Sequence, residues 1–256
     1  MMYRPRIAGA SMTRPVCLAL FLFVASGSVA STPPTADPTQ PKASPVIVIG
    51  FVGGFVKHDN AVHSEVQLAA RLRQDYPSGV QVEVFENHRR EKAHEQILRA
   101  LDMNKDGSLS ADEKQQARII IYGHSWGASE TVALARELEK DGIPVLLTIQ
   151  VDSISKSNEN DMMIPANVSQ AANFYQTHGI LRGRPEIRPA DAARTQIIGN
   201  FRFDYKVPVS CPLYPWFDRI FMKSHVEIEC DPRVWNQVES LIRAKLPASS
   251  GSVSAK

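Results

Sequence analysis

Ser125 stands between Gly123 and Gly127, two residues away on either side, in the pentapeptide Gly-His-Ser-Trp-Gly. A serine that attacks a carbonyl must stand clear of the sheet that carries it, so the chain has to turn sharply from a strand into a helix. Glycines at these two positions remove the side chains that would clash inside such a turn. The spacing therefore indicates a nucleophilic serine, which would need a general base and an acid from elsewhere in the chain.

The residues around this pentapeptide have the patterns that such a turn requires. Four large apolar residues, 119–122, precede it and fit a central parallel strand that is buried on both faces. The stretch 128–140 that follows places Thr131, Leu134 and Leu138 on one helical face. Gly142 comes where a helix C-cap glycine belongs. The sequence thus predicts strand, turn and helix in the required order.

The rest of the chain from Val46 alternates strands and helices. This order favours an α/β fold with a mostly parallel central sheet and helices on both of its faces. Asp231 as N-cap and Pro232 at the first helical position begin a terminal helix. The stretch 153–194 is polar and ambiguous, with a short helix predicted near 168–175. The other predicted elements are strands at 46–49, 80–85, 145–151 and 195–205, and helices at 64–76 and 89–101.

Residues 102–113 form a second pattern, which matches the twelve-residue loop of an EF-hand. Oxygen-bearing side chains stand at loop positions one, three, five and nine, with glycine at six and glutamate at twelve. The ligands predicted for Ca²⁺ are Asp102, Asn104, Asp106, the Ser108 carbonyl, Ser110 through a water, and Glu113. Only residues 114–117 remain before the next strand, and the sequence shows no second EF-hand. The pattern therefore favours a structural clamp over a calcium sensor that opens a groove.

From Val46 to about Leu246 the chain resembles the α/β-hydrolase superfamily, and within it the compact lipase-like and esterase-like serine hydrolases. The resemblance rests on the Gly-His-Ser-x-Gly turn, the order of strands, the glycine-bearing loop 50–54 and a late histidine. In that superfamily the triad follows the chain order serine, acid, histidine, and the acid and base lie on loops after later strands. The resemblance implies hydrolysis of carboxylic esters at Ser125.

The resemblance leaves two candidates for the base and two for the acid. His178 and His225 lie downstream of the acid strand, and His225 is favoured because it comes shortly before the terminal helix. Asp152 ends a clean apolar strand, so its carboxylate would project from the carboxyl edge of the sheet toward Ser125. Asp204 ends the next possible strand, which is the more usual position for the acid. Asp152 is favoured because its strand is the clearer of the two.

The resemblance also implies the role of each group. His225 would take the proton of Ser125 during the attack, while Asp152 would fix the imidazole tautomer and stabilise the imidazolium. The oxyanion would need two backbone N–H donors aimed at it beforehand. One is predicted at Trp126 and the other in the loop after the first strand, at Phe51.

The first thirty residues predict a secretory signal peptide that is cleaved after Ala30. Three arginines precede an apolar run at 16–24, and small residues occupy positions 28 and 30. Residues 31–45 and 247–256 read as a flexible leader and tail, which leaves a folded domain at 46–246. The expected location is secreted or periplasmic, without stable membrane insertion of the mature chain.

The charge balance changes when the signal peptide is removed, because it holds three of the 29 basic residues and none of the 27 acidic ones. The mature chain would carry a net charge near −1, which argues against nucleic acid or an anionic membrane surface as a partner. Cleavage also leaves Cys211 and Cys230 as the two cysteines of a chain bound for an oxidising compartment, so a disulfide is predicted. It would close the loop that contains His225 and stabilise the fold by roughly 3 kcal/mol.

These features favour a secreted serine esterase with structural Ca²⁺ and no organic cofactor. A thioesterase or acyltransferase with the same triad is one alternative. A non-catalytic calcium-binding or interaction domain on a hydrolase fold is another. A complete set of serine, acid and histidine favours the enzyme. The substrate, its acyl chain length and the oligomeric state do not follow from the sequence.

Overall fold

A computed structural model describes residues 45–156 and 159–248 of the chain. The predicted signal peptide and nearly all of the predicted leader and tail lie outside the described residues. The elements, in chain order, are β1 (Val46–Val52), α1 (Ser64–Asp75), β2 (Val80–Glu86), α2 (Arg90–Leu101), α3 (Ala111–Gln115), β3 (Arg118–His124), α4 (Trp126–Lys140), β4 (Val145–Val151), β5 (Met163–Ile164), β6 (Val168–Tyr175), β7 (Arg188–Pro189), β8 (Gln196–Arg202), α5 (Trp216–Phe221), α6 (Lys223–Cys230) and α7 (Pro232–Arg243).

Six of the strands form one sheet in the order β2-β1-β3-β4-β6-β8, and every neighbouring pair is parallel. β5 and β7 form a separate two-stranded pair. Parallel neighbours require crossover connections, and α1, α2 and α4 supply them for the first four strands of the sheet. The predicted α/β fold with a mostly parallel central sheet is therefore confirmed.

The sheet is covered on both faces because its central strands are apolar along their whole length. Val46 and Val48 of β1 pack into one core with apolar residues of α1 and α7. Ile47, Ile49 and Phe51 point the other way and pack with apolar residues of α2 and α4. The alternation of side chains along β1 thus separates two hydrophobic cores, one on each face.

The stretch 168–175, predicted as a short helix, is strand β6, and that prediction was wrong. It lies between β4 and β8 and pairs with both. Polar residues mask its strand character, since Asn173 is fully buried yet interrupts the apolar run. The Asn173 side-chain NH₂ donates to the Arg184 carbonyl at 2.8 Å and to Asn200 Oδ1 at 3.1 Å. Long-range pairing therefore overrides the local pattern here.

The ends of the predicted helices agree with the sequence signals. Asp231 accepts a hydrogen bond from the Arg233 amide at 2.9 Å and caps α7, with Pro232 at its first position. Gly142 follows α4 with a φ of 73°. In the described part of the chain, no helix combines the length and apolar character needed to cross a membrane.

Candidate active site

Ser125 occupies a tight turn between β3 and α4, with φ 57° and ψ −125°. Non-glycine residues rarely adopt such a backbone conformation, and strain of this kind is typical of functional sites. A Cβ on Gly123 would lie 2.5 Å from the Gly127 carbonyl oxygen, and one on Gly127 would overlap the Phe51 carbonyl oxygen. Only glycine fits at either position, which explains the spacing found in the sequence.

The side chains of Ser125, His225 and Asp152 form one continuous hydrogen-bonded chain. His225 Nε2 lies 2.9 Å from Ser125 Oγ, and His225 Nδ1 lies 2.6 Å from Asp152 Oδ2. All three residues are buried, with 8%, 6% and 0% of the surface of Ser125, His225 and Asp152 exposed. The base on α6 is thus positioned between a hydroxyl and a carboxylate that both come from the carboxyl edge of the sheet.

Asp152 is held in place by a residue that sequence reasoning missed. Gln176, directly after β6, donates its side-chain amide to Asp152 Oδ2 at 2.9 Å and its backbone amide to Asp152 Oδ1 at 3.1 Å. The Asp152 backbone has a φ of 46°. A Cβ on Gly183 would overlap Asp152 Oδ1, so glycine is needed there as well. The sequence analysis assigned β6 as a helix and so could not place Gln176. The pairing of β6 with β4 brings Gln176, which follows β6, beside Asp152, which follows β4.

The two alternative candidates from the sequence, His178 and Asp204, pair with each other instead. His178 Nε2 lies 2.8 Å from Asp204 Oδ1, and 50% and 37% of their side-chain surfaces are exposed. Neither side chain forms a hydrogen bond to Ser125, His225 or Asp152 within the described residues. The structure therefore brings together the favoured serine, base and acid and leaves out the alternatives.

The start of α4 and the turn after β1 both lie beside Ser125. Trp126 is the first residue of α4, and an α-helix leaves its first N–H groups without intrahelical acceptors. Phe51, predicted as the second donor, lies inside β1 in register with Phe85 and Gly123 and does not line the cavity. Gly53 does line it, and a Cβ there would lie 2.9 Å from Ser125 Cβ. The turn at Gly53 thus replaces Phe51 as the segment that faces Ser125.

A cavity of about 930 Å³ opens in front of Ser125 and His225. Its volume lies in the range typical of small-molecule sites. Phe55 and Trp126 meet edge to face at one side, with ring centroids 5.6 Å apart. The other apolar lining residues include Ile154, Leu181, Leu213, Tyr214, Phe217 and Met222. The cavity therefore offers an apolar compartment with the serine and histidine at one end.

A disulfide joins Cys211 and Cys230, as the sequence predicted. Cys230 is the last residue of α6, the helix that carries His225. The Cys211 Cα lies 5.8 Å from that of Cys230, which closes the chain segment between them into a loop around α6. The bridge therefore limits the positions that His225 can take relative to the sheet.

A second group of titratable side chains lies behind the first and was not predicted. The His124 ring packs against the His225 ring with centroids 4.5 Å apart. Glu65, at the start of α1, and Glu229, in the last turn of α6, are 0% and 4% exposed. Burial and the neighbouring Glu229 charge raise the pKa of Glu65 well above its usual value. Burial lowers the pKa of His124 to about 4.

The predicted calcium loop is an exposed turn between α2 and α3. Asp102 Oδ2 accepts from the Gly107 amide at 3.0 Å, and Asp106 Oδ1 accepts from the Ser108 amide at 2.8 Å. Glu113 Oε1 accepts from the Met103 amide at 2.9 Å, so the second and last loop positions lie close together. The other predicted ligands are Asn104, whose Oδ1 accepts from the Asp106 amide, and Ser110, which caps α3.

No known protein family matches the chain, and no curated protein matches it. Among solved structures, an esterase from Pseudomonas putida shares 12% identity at a TM-score of 0.41, over 79% of this chain and 74% of that one. An arylesterase shares 13% sequence identity at a TM-score of 0.43, over 80% of this chain and 77% of the arylesterase. A thioesterase from the prodiginine biosynthetic pathway in Streptomyces coelicolor shares 9% sequence identity at a TM-score of 0.39, over 86% of this chain and 98% of the thioesterase. The function of this chain is therefore inferred from its own site.

Proposed function

We propose that this chain is a serine hydrolase that cleaves carboxylic esters through an acyl-enzyme on Ser125. The observation that carries the proposal is the buried chain of hydrogen bonds from Ser125 Oγ through His225 to Asp152, at 2.9 Å and 2.6 Å. A nucleophile and base within hydrogen-bonding reach, with the base oriented by a third group, are the requirements for an activated serine.

Each step of the reaction follows from these positions. His225 Nε2 accepts the Ser125 proton as Oγ bonds to the ester carbonyl carbon, and the buried Asp152 carboxylate stabilises the resulting imidazolium. The negative charge on the carbonyl oxygen is met by the Trp126 amide and an amide of the turn at Gly53. The imidazolium then protonates the alkoxide, which leaves as the alcohol.

Water completes the cycle by the same route in reverse order. His225 takes a proton from a water molecule, the resulting hydroxide attacks the acyl carbon, and Ser125 leaves with the proton that His225 returns. The product is the free carboxylic acid. The apolar walls of the cavity, which include Phe55 and Trp126, favour an uncharged acyl or alcohol group of moderate size.

Labelling with a fluorophosphonate tests the nucleophile. Ser125 Oγ should bond to phosphorus with loss of fluoride in the wild type, and Ser125→Ala should not label. Hydrolysis of p-nitrophenyl esters should fall by about 10⁴-fold or more in Ser125→Ala and in His225→Ala. His178→Gln, which alters an exposed histidine, is the matched control and should keep full activity. Labelling that persists in Ser125→Ala would remove the proposal.

The same site would serve a thioesterase, so the leaving group needs a separate test. Oxygen and sulfur esters with one and the same acyl group should be compared by kcat/KM. A higher value for the oxygen ester supports the esterase, while a clear preference for the thioester would reassign the reaction and leave Ser125 as nucleophile.

We infer in addition that the loop at 102–113 binds Ca²⁺ as a structural ion. The six oxygen-bearing positions of that loop are the support, since hard cations take six to eight oxygen ligands. A Ca²⁺ concentration 100-fold above Kd should raise the Tm of the wild type by about 5–10 °C. Asp106→Ala should abolish the shift. Asp112→Ala, at a loop position that supplies no ligand, should keep it, and a shift of equal size in Asp106→Ala would refute the assignment.

Export to an oxidising compartment is proposed from the signal-like first thirty residues, and the Cys211–Cys230 disulfide supports it. The mature protein should begin at Ser31 and should lack free thiols. N-terminal sequencing and thiol titration of the exported protein check the two statements separately.

A further inference from the structure

Two buried glutamates lie behind His124, and one of them, Glu65, lacks the partner that a buried charge requires. Glu65 is fully buried, and within the described part of the chain neither of its carboxylate oxygens has a hydrogen-bond partner. Glu229 lies beside it, and donor atoms of His63, Glu65 and Glu229 all fall within 4.8 Å of one another. A buried carboxylate without a partner is strongly destabilising, so such a group in a folded protein needs an explanation.

Among the described residues, the basic side chains within 4.0 Å of these two glutamates are imidazoles. His63 Nδ1 lies 2.5 Å from Glu229 Oε1, and His124 Nδ1 lies 3.3 Å from Glu229 Oε2. His124 Nδ1 is also 4.0 Å from Glu65 Oε1. Across 45–156 and 159–248, neither glutamate forms an ion pair with a lysine or arginine. Both imidazoles approach Glu229 more closely, which leaves the Glu65 carboxylate without compensation.

We propose that His63, Glu65 and Glu229 bind one divalent transition-metal ion of the zinc class, with His124 Nδ1 beside them as a fourth donor. Imidazole nitrogen and carboxylate oxygen form a donor set that suits zinc and its neighbours. Metal–ligand bonds of about 2.0–2.2 Å in a tetrahedral site place donors about 3.3 Å apart. The separations of 2.5, 3.3 and 4.0 Å between imidazole nitrogen and carboxylate oxygen atoms bracket that value.

The backbone already holds these donors together. His63 and Glu65 flank the first residue of α1, and Glu229 lies in the last turn of α6. Ser64 Oγ donates to the Glu229 carbonyl at 2.6 Å and ties the two helix ends to each other. The disulfide at Cys230, next to Glu229, fixes the end of α6. Binding of a metal ion would therefore require these side chains to move, while the backbone stays in place.

The donor set also separates this site from the calcium loop. The loop at 102–113 is exposed and offers oxygen atoms only, whereas this site is buried and includes imidazole nitrogen. His63 and Glu229 line the same cavity as Ser125 and His225. A metal ion here would add positive charge to the wall of that cavity.

The test measures metal binding and does not depend on catalysis. The full mature chain is stripped with 1,10-phenanthroline and titrated with ZnCl₂ against a chromophoric chelator, in the presence of Ca²⁺. One equivalent should bind to the wild type. Glu65→Gln and His63→Gln should each weaken Zn²⁺ binding at least tenfold, since even residues outside the ligand set change metal affinity by 10–100-fold. Both variants should keep their Ca²⁺-dependent Tm shift.

Glu227→Gln is the matched control, because Glu227 lies on α6 together with Glu229. It is 3% exposed, and its Oε2 has no hydrogen-bond partner among the described residues. It should bind Zn²⁺ like the wild type. Where Glu65→Gln does not fold, Co²⁺ loaded into the wild type should give the visible d–d absorption of a four-coordinate nitrogen and oxygen site. The proposal would be overturned if Zn²⁺ bound equally to the wild type and to His63→Gln, or if the wild type took up neither metal. In that case the carboxyl groups of Glu65 and Glu229 would share a proton instead.

Discussion

Asp152→Asn is the substitution that examines the proposed triad most closely. The side chains have the same shape, and the Asp152 carboxylate is fully buried with three hydrogen-bond donors around it, from His225 and twice from Gln176. The replacement amide offers one oxygen and one NH₂ to these donors. With its oxygen in the place of Oδ2 one of the three hydrogen bonds is lost, and with its NH₂ in that place two are lost. Either way, the negative charge beside His225 is removed.

The size of the effect follows from that charge. When the imidazolium forms, its charge centre and that of the carboxylate lie about 4 Å apart, which is worth about 4 kcal/mol at an effective dielectric constant of about 20. At 1.36 kcal/mol for each factor of ten, the loss in kcat is about 10³-fold. An amide orientation that turns its NH₂ toward His225 also imposes the wrong tautomer, which raises the loss toward about 10⁴-fold.

Steady-state hydrolysis of a p-nitrophenyl ester measures this loss, and Asp204→Asn is its control. Asp204 pairs with the exposed His178, so its replacement should change kcat by less than about twofold. Circular dichroism should show both variants folded. If Asp152→Asn keeps more than a tenth of the activity, or if Asp204→Asn loses as much, the assignment of the acid is refuted.

Three further predictions concern the groups that position the site. Gly53→Ala should lower kcat by about 10²-fold with little loss of Tm. The new Cβ would lie 2.9 Å from Ser125 Cβ, so either the turn or the nucleophile must be displaced. An unchanged kcat would show that the turn moves without affecting Ser125. Gly183→Ala should likewise lower kcat, since its Cβ overlaps Asp152 Oδ1, and a fall confined to KM would contradict this. Reduction of the disulfide should decrease the free energy of unfolding by about 3 kcal/mol, measured in urea, and a smaller change than about 1 kcal/mol would argue against a constrained loop.

The parts of the fold that the sequence predicts well are those with a local signal. The apolar strands β1, β3 and β4 and the helices α1, α2, α4 and α7 follow periodicity and capping residues that lie within each segment. Ser125 was found because glycines stand two residues away on either side, where a Cβ would meet the carbonyl groups of Gly127 and Phe51. His225 and Asp152 were found from their place in the chain, and their mutual distances came from the structure.

The parts that the sequence does not predict depend on distant contacts. β6 is a strand because β4 and β8 flank it, while its own residues mix polar and apolar types without a period of two. The second oxyanion donor was placed at Phe51, since sequence cannot show that β1 continues to Val52 and that the turn begins at Gly53. The first is a wrong assignment of element type and the second concerns where β1 ends, and tertiary pairing decides both.

Glu65 illustrates the same point for the metal-site proposal. A glutamate in the first turn of a helix is the expected surface residue there, because its charge interacts favourably with the helix dipole. Nothing in its neighbours along the chain indicates burial, and Glu229 lies 164 positions later on another helix. Only the fold, in which Ser64 at the start of α1 donates to the Glu229 carbonyl, brings the two carboxyl groups together and buries Glu65. The cost of burying Glu65 without a partner is the physical reason to propose a cation there, and it arises from the fold as a whole.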